Sequence, residues 1–558
     1  MAKRSSASTS IRRSATVRIP EVFSFDHDIA VTPSTSQVER KNLENACYFI
    51  LSALSRYRYD HKALEMLEAT GYLPLSAVLL KKTCGDRYKM ALDLLISAGI
   101  IEHASGSYST GSSRRYRLAK HMAASASVYR ELSGTVRERF LRNQEEADQV
   151  RVKNPASLTH LTKWLNPLRL TVDLQRAHSF IELSFRRVHE LINASEFSEA
   201  EKLEARGRAH VRMNQQINDL RLLANGVYQV SNDGKDERLH SVLTRVKKEL
   251  RSFLLYDGQP LVSLDIRSSQ PYFFTKLLSR KFYSMTVKNP LGFKSLVQGP
   301  QHTPSTPLLP PTPPPDIYSS MFPTLTELTD EQLLTRSSFR QFSWESGFYK
   351  QFAEQLNTTA TKHINEAQAK KLAMFLFFEY RPYKFRTEQF RSFERLYPLE
   401  AGVIRGMNRL EGKLLPIMLQ RLESRVMLHH VSKTIAAVLP EAPLFSVHDS
   451  LLTPPQYAAA VKNMMVTELT TIMGLQPGIK EESKDSEDEL QALESFAHSI
   501  LEDTLKSVRQ WSKAVAQGLP NAYSFAGENR DEPLLRQTPE YNGEKIVFNP
   551  YYYDSEEE

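Results

Sequence analysis

Two aspartates, Asp265 and Asp449, lie in the segments of this sequence that are best suited to metal chemistry. The first segment is GQPLVSLDIRSSQPYFF, in which the short apolar run Leu261–Leu264 follows a turn and predicts a buried strand that ends at Asp265. A carboxylate where a buried strand meets a helix can bind a metal ion, but aspartate is also favoured as a helix N-cap. Taken alone, Asp265 therefore leaves both roles open.

The second segment is APLFSVHDSLLTPPQ, in which two β-favouring runs flank the polar residues His448-Asp449-Ser450. The runs Leu444–Val447 and Leu451–Thr453 predict a β-hairpin with a polar tip, which the following prolines would end. Asp449 can be an ordinary turn residue. A His-Asp pair between apolar strands is less usual, because polar groups near a core are costly to bury.

The two aspartates gain meaning as a pair. Phosphoryl transfer by two metal ions requires at least two anionic ligands on a rigid frame, which hold the ions ~4 Å apart. Mg²⁺ suits such a sparse protein shell because water and substrate phosphate complete its coordination. The pair therefore predicts two Mg²⁺ ions, with Mn²⁺ as an alternative, at Asp265 and Asp449.

The order of these segments resembles the palm of family A DNA polymerases and of the related phage-type single-subunit RNA polymerases. LVSLDIRSSQ resembles motif A of that family, and SVHDSLL resembles motif C. The resemblance implies an α+β fold of the right-hand type, with an antiparallel palm sheet and helical fingers. It also implies that Asp265 and Asp449 are the metal ligands and that the backbone carbonyl of Ile266 is a third.

Two positions depart from the DNA polymerases of the family. Ser450 stands where they usually have a glutamate, and this serine matches the RNA polymerases better. Gln270 stands where they have a glutamate that crowds the 2′ position of the sugar. Gln is similar in size but neutral, so Gln270 is assigned to nucleotide binding while the choice between dNTP and NTP stays open.

Upstream of motif A, the family has an arginine-rich segment, and ERLHSVLTRVKKELRSFL occupies that place. The resemblance implies that Arg238, His240 and Arg251 contact nucleic acid or the floor of the site. The alternative is an ordinary basic amphipathic helix with a solvated face.

Between the motifs, NEAQAKKLAMFLFFEYRPYKF resembles the fingers helix of the family, in which a lysine meets the incoming triphosphate. Lys371 fits that role, with Lys370 as an alternative, and Phe375 and Tyr380 would complete the nucleotide site. A cation there would neutralise charge that develops on the phosphates. The other interpretation is an amphipathic core helix with two solvated lysines.

A further helix, LLPIMLQRLESRVMLHHVSKTI, resembles the palm helix that carries a glutamine near the primer terminus. Gln420 is the candidate for that glutamine. Together with His448 of motif C, it is assigned to nucleic-acid binding. The apolar stripe of this helix belongs to the core in either case.

The segment 36–125 has the pattern of a winged-helix unit, in which a helix-turn-helix is followed by a basic hairpin. Its predicted elements are two helices and two strands: Leu75–Lys82, Arg87–Ala98, Ile100–His103 and Arg115–Leu118. Arg114 and Arg115 are assigned to DNA phosphate contacts. The alternative is a winged-helix module that binds another protein.

Charge is distributed unevenly along the 558 residues, whose formal net charge is +8. Residues 481–558 carry 18 acidic and 7 basic side chains, a balance of −11, so the first 480 residues carry +19. A body that basic attracts polyanions, of which nucleic acid is the usual one.

Composition predicts an intracellular protein. There are only two cysteines, Cys47 and Cys84, and there is no apolar run long enough for a membrane span. The predicted location is the cytoplasm, although the Ser- and Arg-rich first twenty residues are also compatible with an organelle transit peptide.

The predicted domain organisation has five parts. They are a disordered basic arm at 1–35, the winged-helix-like domain at 36–125, a helical connector or thumb-like region at 126–229, the palm and fingers at 230–475 with a proline-rich insert at 299–315, and an acidic C-terminal helix and tail at 476–558.

The sequence therefore predicts a template-directed nucleotidyltransferase that acts on a primer-template and dNTP or NTP. A role in the replication of a phage, plasmid or mobile element is associated with this architecture. The alternatives are a non-catalytic replication initiator or DNA-binding regulator, and a single-subunit RNA polymerase.

Overall fold

The computed structural model describes residues 15–517, except for residues 33, 59, 105–112, 124, 126, 152–155, 233–235, 285–288, 299–318, 320–321, 323–327, 359–362 and 483–488. The proline-rich insert predicted at 299–315 lies outside the described residues, as do residues 1–14 and the chain beyond 517.

The N-terminal part combines short strands with helices. Its elements are β1 (Thr16–Pro20), α1 (Phe25–Asp28), α2 (Gln37–Ser55), a 3₁₀ helix (Arg56–Arg58), α3 (His61–Thr70), β2 (Leu73–Leu75), α4 (Ala77–Cys84), α5 (Arg87–Ser97), β3 (Ile101–His103), β4 (Arg114–Leu118), α6 (Lys120–Ala123), β5 (Ser127–Glu131) and α7 (Gly134–Arg151).

The helices and strands predicted for 36–125 are present, and local signals explain their bounds. Ser36 and Glu39 form a capping box at the start of α2, and Ser76 caps α4. Gly71 ends α3 in the left-handed conformation with a φ of 73°. Among the described residues, β2, β4 and β3 form an antiparallel sheet in that order.

The predicted disordered arm at 1–35 is wrong for its described part. Residues Thr16–Pro20 form the buried strand β1, which pairs with β5. The apolar side chains of Val17 and Ile19 enter the N-terminal core, and burial of that apolar surface orders a segment whose composition alone had suggested disorder.

The central part of the chain begins with long helices and continues into short strands. Its elements are a 3₁₀ helix (Ala156–Leu158), α8 (Thr159–Thr162), β6 (Leu170–Val172), α9 (Leu174–Asn193), α10 (Glu199–Ala224), α11 (Val242–Arg245), a 3₁₀ helix (Lys248–Phe253), β7 (Leu254–Tyr256), β8 (Gln259–Pro260), β9 (Val262–Ile266), α12 (Ser269–Phe274) and two 3₁₀ helices (Thr275–Leu278 and Arg280–Tyr283).

The remaining elements are mostly helical. They are α13 (Phe293–Gln298), α14 (Asp330–Arg336), α15 (Ser338–Gln341), α16 (Phe348–Asn357), α17 (Glu366–Phe378), a 3₁₀ helix (Pro382–Arg386), α18 (Glu388–Leu396), α19 (Pro398–Leu410), α20 (Leu414–Arg425), a π-helix (Val426–Val431), α21 (Ser432–Val438), β10 (Phe445–Val447), β11 (Ser450–Thr453), α22 (Pro455–Met473), β12 (Ile479–Glu482) and α23 (Glu489–Ala516).

The central sheet is antiparallel, with strand order β10-β11-β9-β12. Helices α12, α20 and α22 belong to the same hydrophobic core as this sheet. Strand β12 was not predicted, because its residues fall in the region 476–558 that was assigned to an acidic helix and tail. The central sheet therefore extends beyond residue 475.

Helices α9, α10 and α23 pack against one another, with the rings of Phe180 and Phe496 5.7 Å apart. Helix α10 also reaches the N-terminal core through Val211, so it connects the two hydrophobic cores of the described chain. The described residues thus form a mixed α and β structure with small antiparallel sheets. None of their helices is long and apolar enough to cross a membrane.

Candidate active site

Asp265 and Asp449 lie at neighbouring positions of the central sheet. Asp265 on β9 is the cross-strand partner of Ser450 on β11, and Asp449 directly precedes Ser450. Antiparallel partners have Cα atoms about 5 Å apart and consecutive residues ~3.8 Å, so the Cα atoms of Asp265 and Asp449 lie within about 9 Å of each other. Residues that are 184 positions apart in sequence are thus neighbours in the fold.

The hairpin predicted around His448 is present, and its turn is strained. Val447 pairs with Ser450, so His448 and Asp449 are the two turn residues. His448 has a φ of 57°, which is the left-handed region at a position where a two-residue turn normally has glycine. A non-glycine residue there costs about 1–2 kcal/mol. Strain of this kind is often kept at functional sites.

The carboxylate of Asp265 is partly buried and surrounded by hydroxyl groups and other carboxylates. The Ser450 hydroxyl donates a hydrogen bond to Asp265 Oδ1, and the Ser263 hydroxyl lies 3.3 Å from Oδ2. Burial, together with the negative charges of Glu482 and Asp449, raises the pKa of Asp265 to about 6. Such a carboxylate gains from a nearby cation.

A buried polar network centres on Glu423 of α20. Arg238 Nη2 lies 2.6 Å from Glu423 Oε1, and Gln270 Nε2 lies 2.5 Å from Oε2. Burial raises the pKa of Glu423 to about 7, although Arg238 opposes the shift. Gln270 is 8% exposed, and its Oε1 has no hydrogen-bond partner among the described residues. The network fixes Gln270 next to the strand that carries Asp265.

Basic and imidazole groups complete the surroundings. Arg251 donates from Nε to the carbonyl of Val246, and its guanidinium forms no ion pair within the described part of the chain. Burial lowers its pKa, while the charges of Asp265 and Asp449 oppose that shift. His240 lies 3.1 Å from Asp236.

His448 is electrically neutral at physiological pH. Burial, with the positive charge of Arg238, lowers its pKa to about 4. Its Nδ1 is buried and has no hydrogen-bond partner among the described residues.

The segment 237–254 does not form a single basic amphipathic helix, which was the alternative interpretation of its sequence. Val246 is extended, with a ψ of 124°, and it separates α11 from the following 3₁₀ helix. Arg238 and His240 precede α11 and lie near the hairpin. Arg251 is in the 3₁₀ helix after the break and lies near the two aspartates.

The predicted fingers residues are not brought to the aspartates by any described contact. Lys371 is 76% exposed in its side chain and lies 3.5 Å from Glu502 of α23. Phe375, one turn later on α17, packs against the main core. Tyr380 lies beyond the end of α17 and is 45% exposed, with the Lys413 ammonium 5.2 Å from its ring.

The other predicted contacts lie on separate elements. Gln420 is on α20, one turn before Glu423 and on the same face of that helix. Arg114 and Arg115 are exposed residues of β4 in the N-terminal unit. Arg114 and Arg115 belong to the β2-β4-β3 sheet, which is separate from the central sheet.

No protein-family model and no curated protein matches the sequence. Among solved structures, the chain is similar to the POL domain of Pol1 from M. smegmatis in complex with DNA primer-template and dNTP. The sequence identity is 11%, the TM-score is 0.30, and the match covers 63% of this chain and 72% of that chain. A similarity at this level supports no inference about function.

A metal site can be judged from the donor groups that are present. No group of three or more His, Cys, Asp or Glu side chains that could hold a metal ion occurs among the described residues. The available set is two carboxylates and the backbone of Ile266, the last residue of β9. This set fits Mg²⁺, which takes few protein ligands and completes its shell with water and phosphate, and it does not fit a closed structural site.

Several residues of this region were not predicted from the sequence. Glu423 was assigned no role, and Glu482 falls in the region 476–558 that was predicted to be an acidic helix and tail. Glu482 instead lies on β12 and ranks ahead of Asp449 among the charges that raise the pKa of Asp265. Lys248 and Lys480 contact Glu482. Burial raises the pKa of Tyr349 on α16, and the charge of Asp449 adds to that shift.

Proposed function

We propose that this chain is a template-directed nucleotidyltransferase with a family A-like palm. The observation that carries the proposal is the pairing of Asp265 with Ser450, because it makes Asp265 and Asp449 neighbours at one end of an antiparallel sheet. Two carboxylates on a rigid frame, here one on β9 and one in the adjoining β10–β11 turn, are the minimum that two-metal phosphoryl transfer requires.

Asp265 and Asp449 would hold two Mg²⁺ ions, with the carbonyl of Ile266 as a further ligand. When bound, the ions supply activation of the attacking 3′-hydroxyl and charge stabilisation of the leaving pyrophosphate. The bond that forms joins the 3′-oxygen to the α-phosphorus of the nucleotide, and the bond that breaks joins that phosphorus to the pyrophosphate.

Gln270 would lie against the sugar of the incoming nucleotide. It is buried and held by Glu423, so it is a rigid obstacle rather than a mobile side chain. This favours dNTP over NTP. Gln420, on the same helix face as Glu423, and Arg238, His240 and His448 would contact the nucleic acid.

Lys371, with Phe375 one turn later, is the proposed contact of the triphosphate. That role requires Lys371 to leave Glu502, with which it pairs at 3.5 Å. Both side chains are about three-quarters exposed, and exposed ion pairs contribute 0–1 kcal/mol, so a triphosphate can replace Glu502 at little cost. Tyr380 would lie at the outer end of the same site.

The N-terminal unit would be a winged-helix module that binds nucleic acid. Its helix–strand–helix–helix–strand–strand order and its sheet order β2-β4-β3 fit that module. Arg114 and Arg115 on β4 are exposed and would contact phosphates, which confer affinity without reading the base sequence.

Primer extension tests the proposal. Purified protein is incubated with a primed DNA template, Mg²⁺ and either dNTPs or rNTPs. We expect extension with dNTPs, and a loss of at least a thousandfold in Asp265→Asn and Asp449→Asn with primer-template binding retained. Asp257→Asn is the matched control, because Asp257 is an exposed aspartate that pairs with Arg169 away from the site. Extension at wild-type rates by either site variant would refute the proposal.

A further inference from the structure

Strand β12 carries charged residues on both faces, and one face is shared with Asp265. Lys480 is the cross-strand partner of Asp265, and Glu482 is the partner of Ser263. Since side chains alternate along a strand, these four residues lie on one face of the sheet. Glu481, which is opposite Leu264, lies on the other face and pairs with Lys462 at 3.2 Å.

Two lysines converge on a single oxygen atom of Glu482. Lys248 Nζ lies 2.6 Å from Glu482 Oε1, and Lys480 Nζ lies 2.7 Å from the same atom. The lysine side chains are 55% and 52% exposed, whereas Glu482 is 20% exposed. Lys248 begins the 3₁₀ helix that also carries Arg251. Two solvent-accessible cations therefore stand beside Asp265 and share one carboxylate.

From this arrangement we infer that Lys248 and Lys480 bind the phosphate backbone of the nucleic-acid strand whose end lies at Asp265 and Asp449. In the free chain Glu482 forms ion pairs with both ammonium groups, and these pairs break when the strand binds. The inference rests on the proposed function, and it adds a contact surface that the sequence did not suggest.

The strength of the ion pairs allows this exchange. The lysine ends of both ion pairs are about half exposed, so solvent screens their attraction to Glu482 and a second anion can compete for them. A phosphodiester is an anion of the same charge that belongs to a polymer, and its binding also releases condensed counterions. A nucleic acid should therefore displace Glu482.

The position of the lysines favours a backbone phosphate over the triphosphate of a nucleotide. A nucleotide that reaches both aspartates must lie between β9 and the β10–β11 turn. Lys480 lies on β12, which is on the opposite side of β9 in the strand order β10-β11-β9-β12. Adjacent strands are about 4.8 Å apart, so the backbone of Lys480 lies outside that space, on the edge strand of the sheet, and Lys248 shares its Glu482 partner there.

The test is binding of a fluorescent primer-template by the full chain, measured by anisotropy in EDTA without nucleotide from 50 to 200 mM salt. Each contact with a phosphate contributes about one unit to the slope of log affinity against log salt concentration. We expect Lys248→Gln and Lys480→Gln each to reduce that slope by about one. Lys462→Gln, on the opposite face of β12, should leave it unchanged. Slopes in K248Q and K480Q equal to that in K462Q would overturn the inference.

The variant Glu482→Gln gives a more direct test in the same binding experiment. It should increase the affinity for the primer-template, because it releases both lysines from their ion pairs. Glu481→Gln makes the same change in net charge on the other face and should not increase affinity. Equal affinities of E482Q and E481Q would contradict the exchange. Thermal melting checks that all variants are folded. We expect this because ion pairs near the surface contribute little stability.

The Michaelis constant for dNTP separates the two sources of phosphate. We expect it to be unchanged in K248Q and K480Q at saturating primer-template. A raised Michaelis constant with an unchanged salt slope would assign the lysines to the nucleotide and overturn the inference. Extension by the wild-type chain with unchanged slopes refutes this inference alone, whereas reduced slopes without any extension refute the proposed function alone.

Discussion

Ser450 lies directly opposite Asp265 on neighbouring antiparallel strands, and its hydroxyl donates a hydrogen bond to the Asp265 carboxylate. The same pairing brings Asp449 to the site, since Asp449 is the residue before Ser450. One cross-strand pair thus determines both the distance between the two acids and the chemical surroundings of one of them.

Removal of the Ser450 hydroxyl should weaken metal binding at mildly acidic pH. A hydrogen bond to a carboxylate favours its ionised form, so Ser450→Ala should raise the pKa of Asp265 above about 6. We expect Mn²⁺ affinity, followed by electron paramagnetic resonance, to fall about threefold to tenfold at pH 6 and little at pH 8. Ser263→Ala, whose contact is longer at 3.3 Å, should show a smaller effect. Equal affinities at pH 6 in wild type and S450A would contradict this.

Asp265 should destabilise the metal-free protein at neutral pH. Its pKa is about 6 in the folded chain and 3.8 in the reference state, so its contribution is fully favourable below pH 3.8 and is lost as pH rises through 6. Asp265→Asn should therefore be more stable than wild type by on the order of 1 kcal/mol at pH 7.5 in EDTA, and equal to it near pH 4. Urea unfolding at both pH values measures the difference.

The control for that experiment is Asp257→Asn. The hydrogen bond from Arg169 holds the pKa of Asp257 below its ordinary value, so this variant should not gain stability at pH 7.5. Mg²⁺ should stabilise the wild type and leave Asp265→Asn unaffected, because a ligand stabilises only the protein that binds it. A D265N variant less stable than wild type in EDTA at pH 7.5 would count against the account.

The buried network around Glu423 should be sensitive to loss of the hydrogen-bonding side chain and less sensitive to loss of its charge. Glu423→Ala leaves Arg238 without its buried partner and should cost about 3–5 kcal/mol in the free energy of unfolding. Glu423→Gln retains an acceptor for Arg238 and can donate to the unpartnered Oε1 of Gln270, so it should cost about 1 kcal/mol. Denaturant titrations measure both. Similar losses in the two variants would show that the charge of Glu423, rather than its hydrogen bonds, stabilises the network.

The strain at His448 can be measured separately from its side chain. His448→Gly removes the ring and relieves the left-handed backbone, whereas His448→Ala removes the ring and keeps the strain. We expect the glycine variant to be more stable than the alanine variant by about 1–2 kcal/mol. Both should extend primers more slowly than wild type. An alanine variant as stable as the glycine variant would mean that the turn adopts another conformation.

Local sequence patterns identified the elements of the site whose signals are local. The apolar runs around Asp265 and around His448-Asp449 predicted β9 and the β10–β11 hairpin to within a residue or two, because strand periodicity and turn residues lie within a few positions of each other. The same holds for α4 and α5, where caps and glycines mark the ends.

Contacts between distant parts of the chain could not be predicted. Glu482 lies in a run of acids that has the composition of a solvated segment, and only the pairing of β12 with β9 brings it beside Asp265. The pair of Lys371 with Glu502 spans 131 positions and depends on how α23 packs against α9 and α10. Such contacts follow from tertiary packing, which overrides local preference.

The central claim is that Asp265 and Asp449 act together in one metal centre, and a double-mutant cycle tests it most directly. Single-turnover primer extension is measured for Asp265→Asn, Asp449→Asn and the double variant. Residues that act as a unit are strongly non-additive. We predict that each single variant loses at least a thousandfold in rate and that the double variant loses no more than the slower single variant. Losses that multiply in the double variant, or a single variant that extends primers at the wild-type rate, would contradict the account.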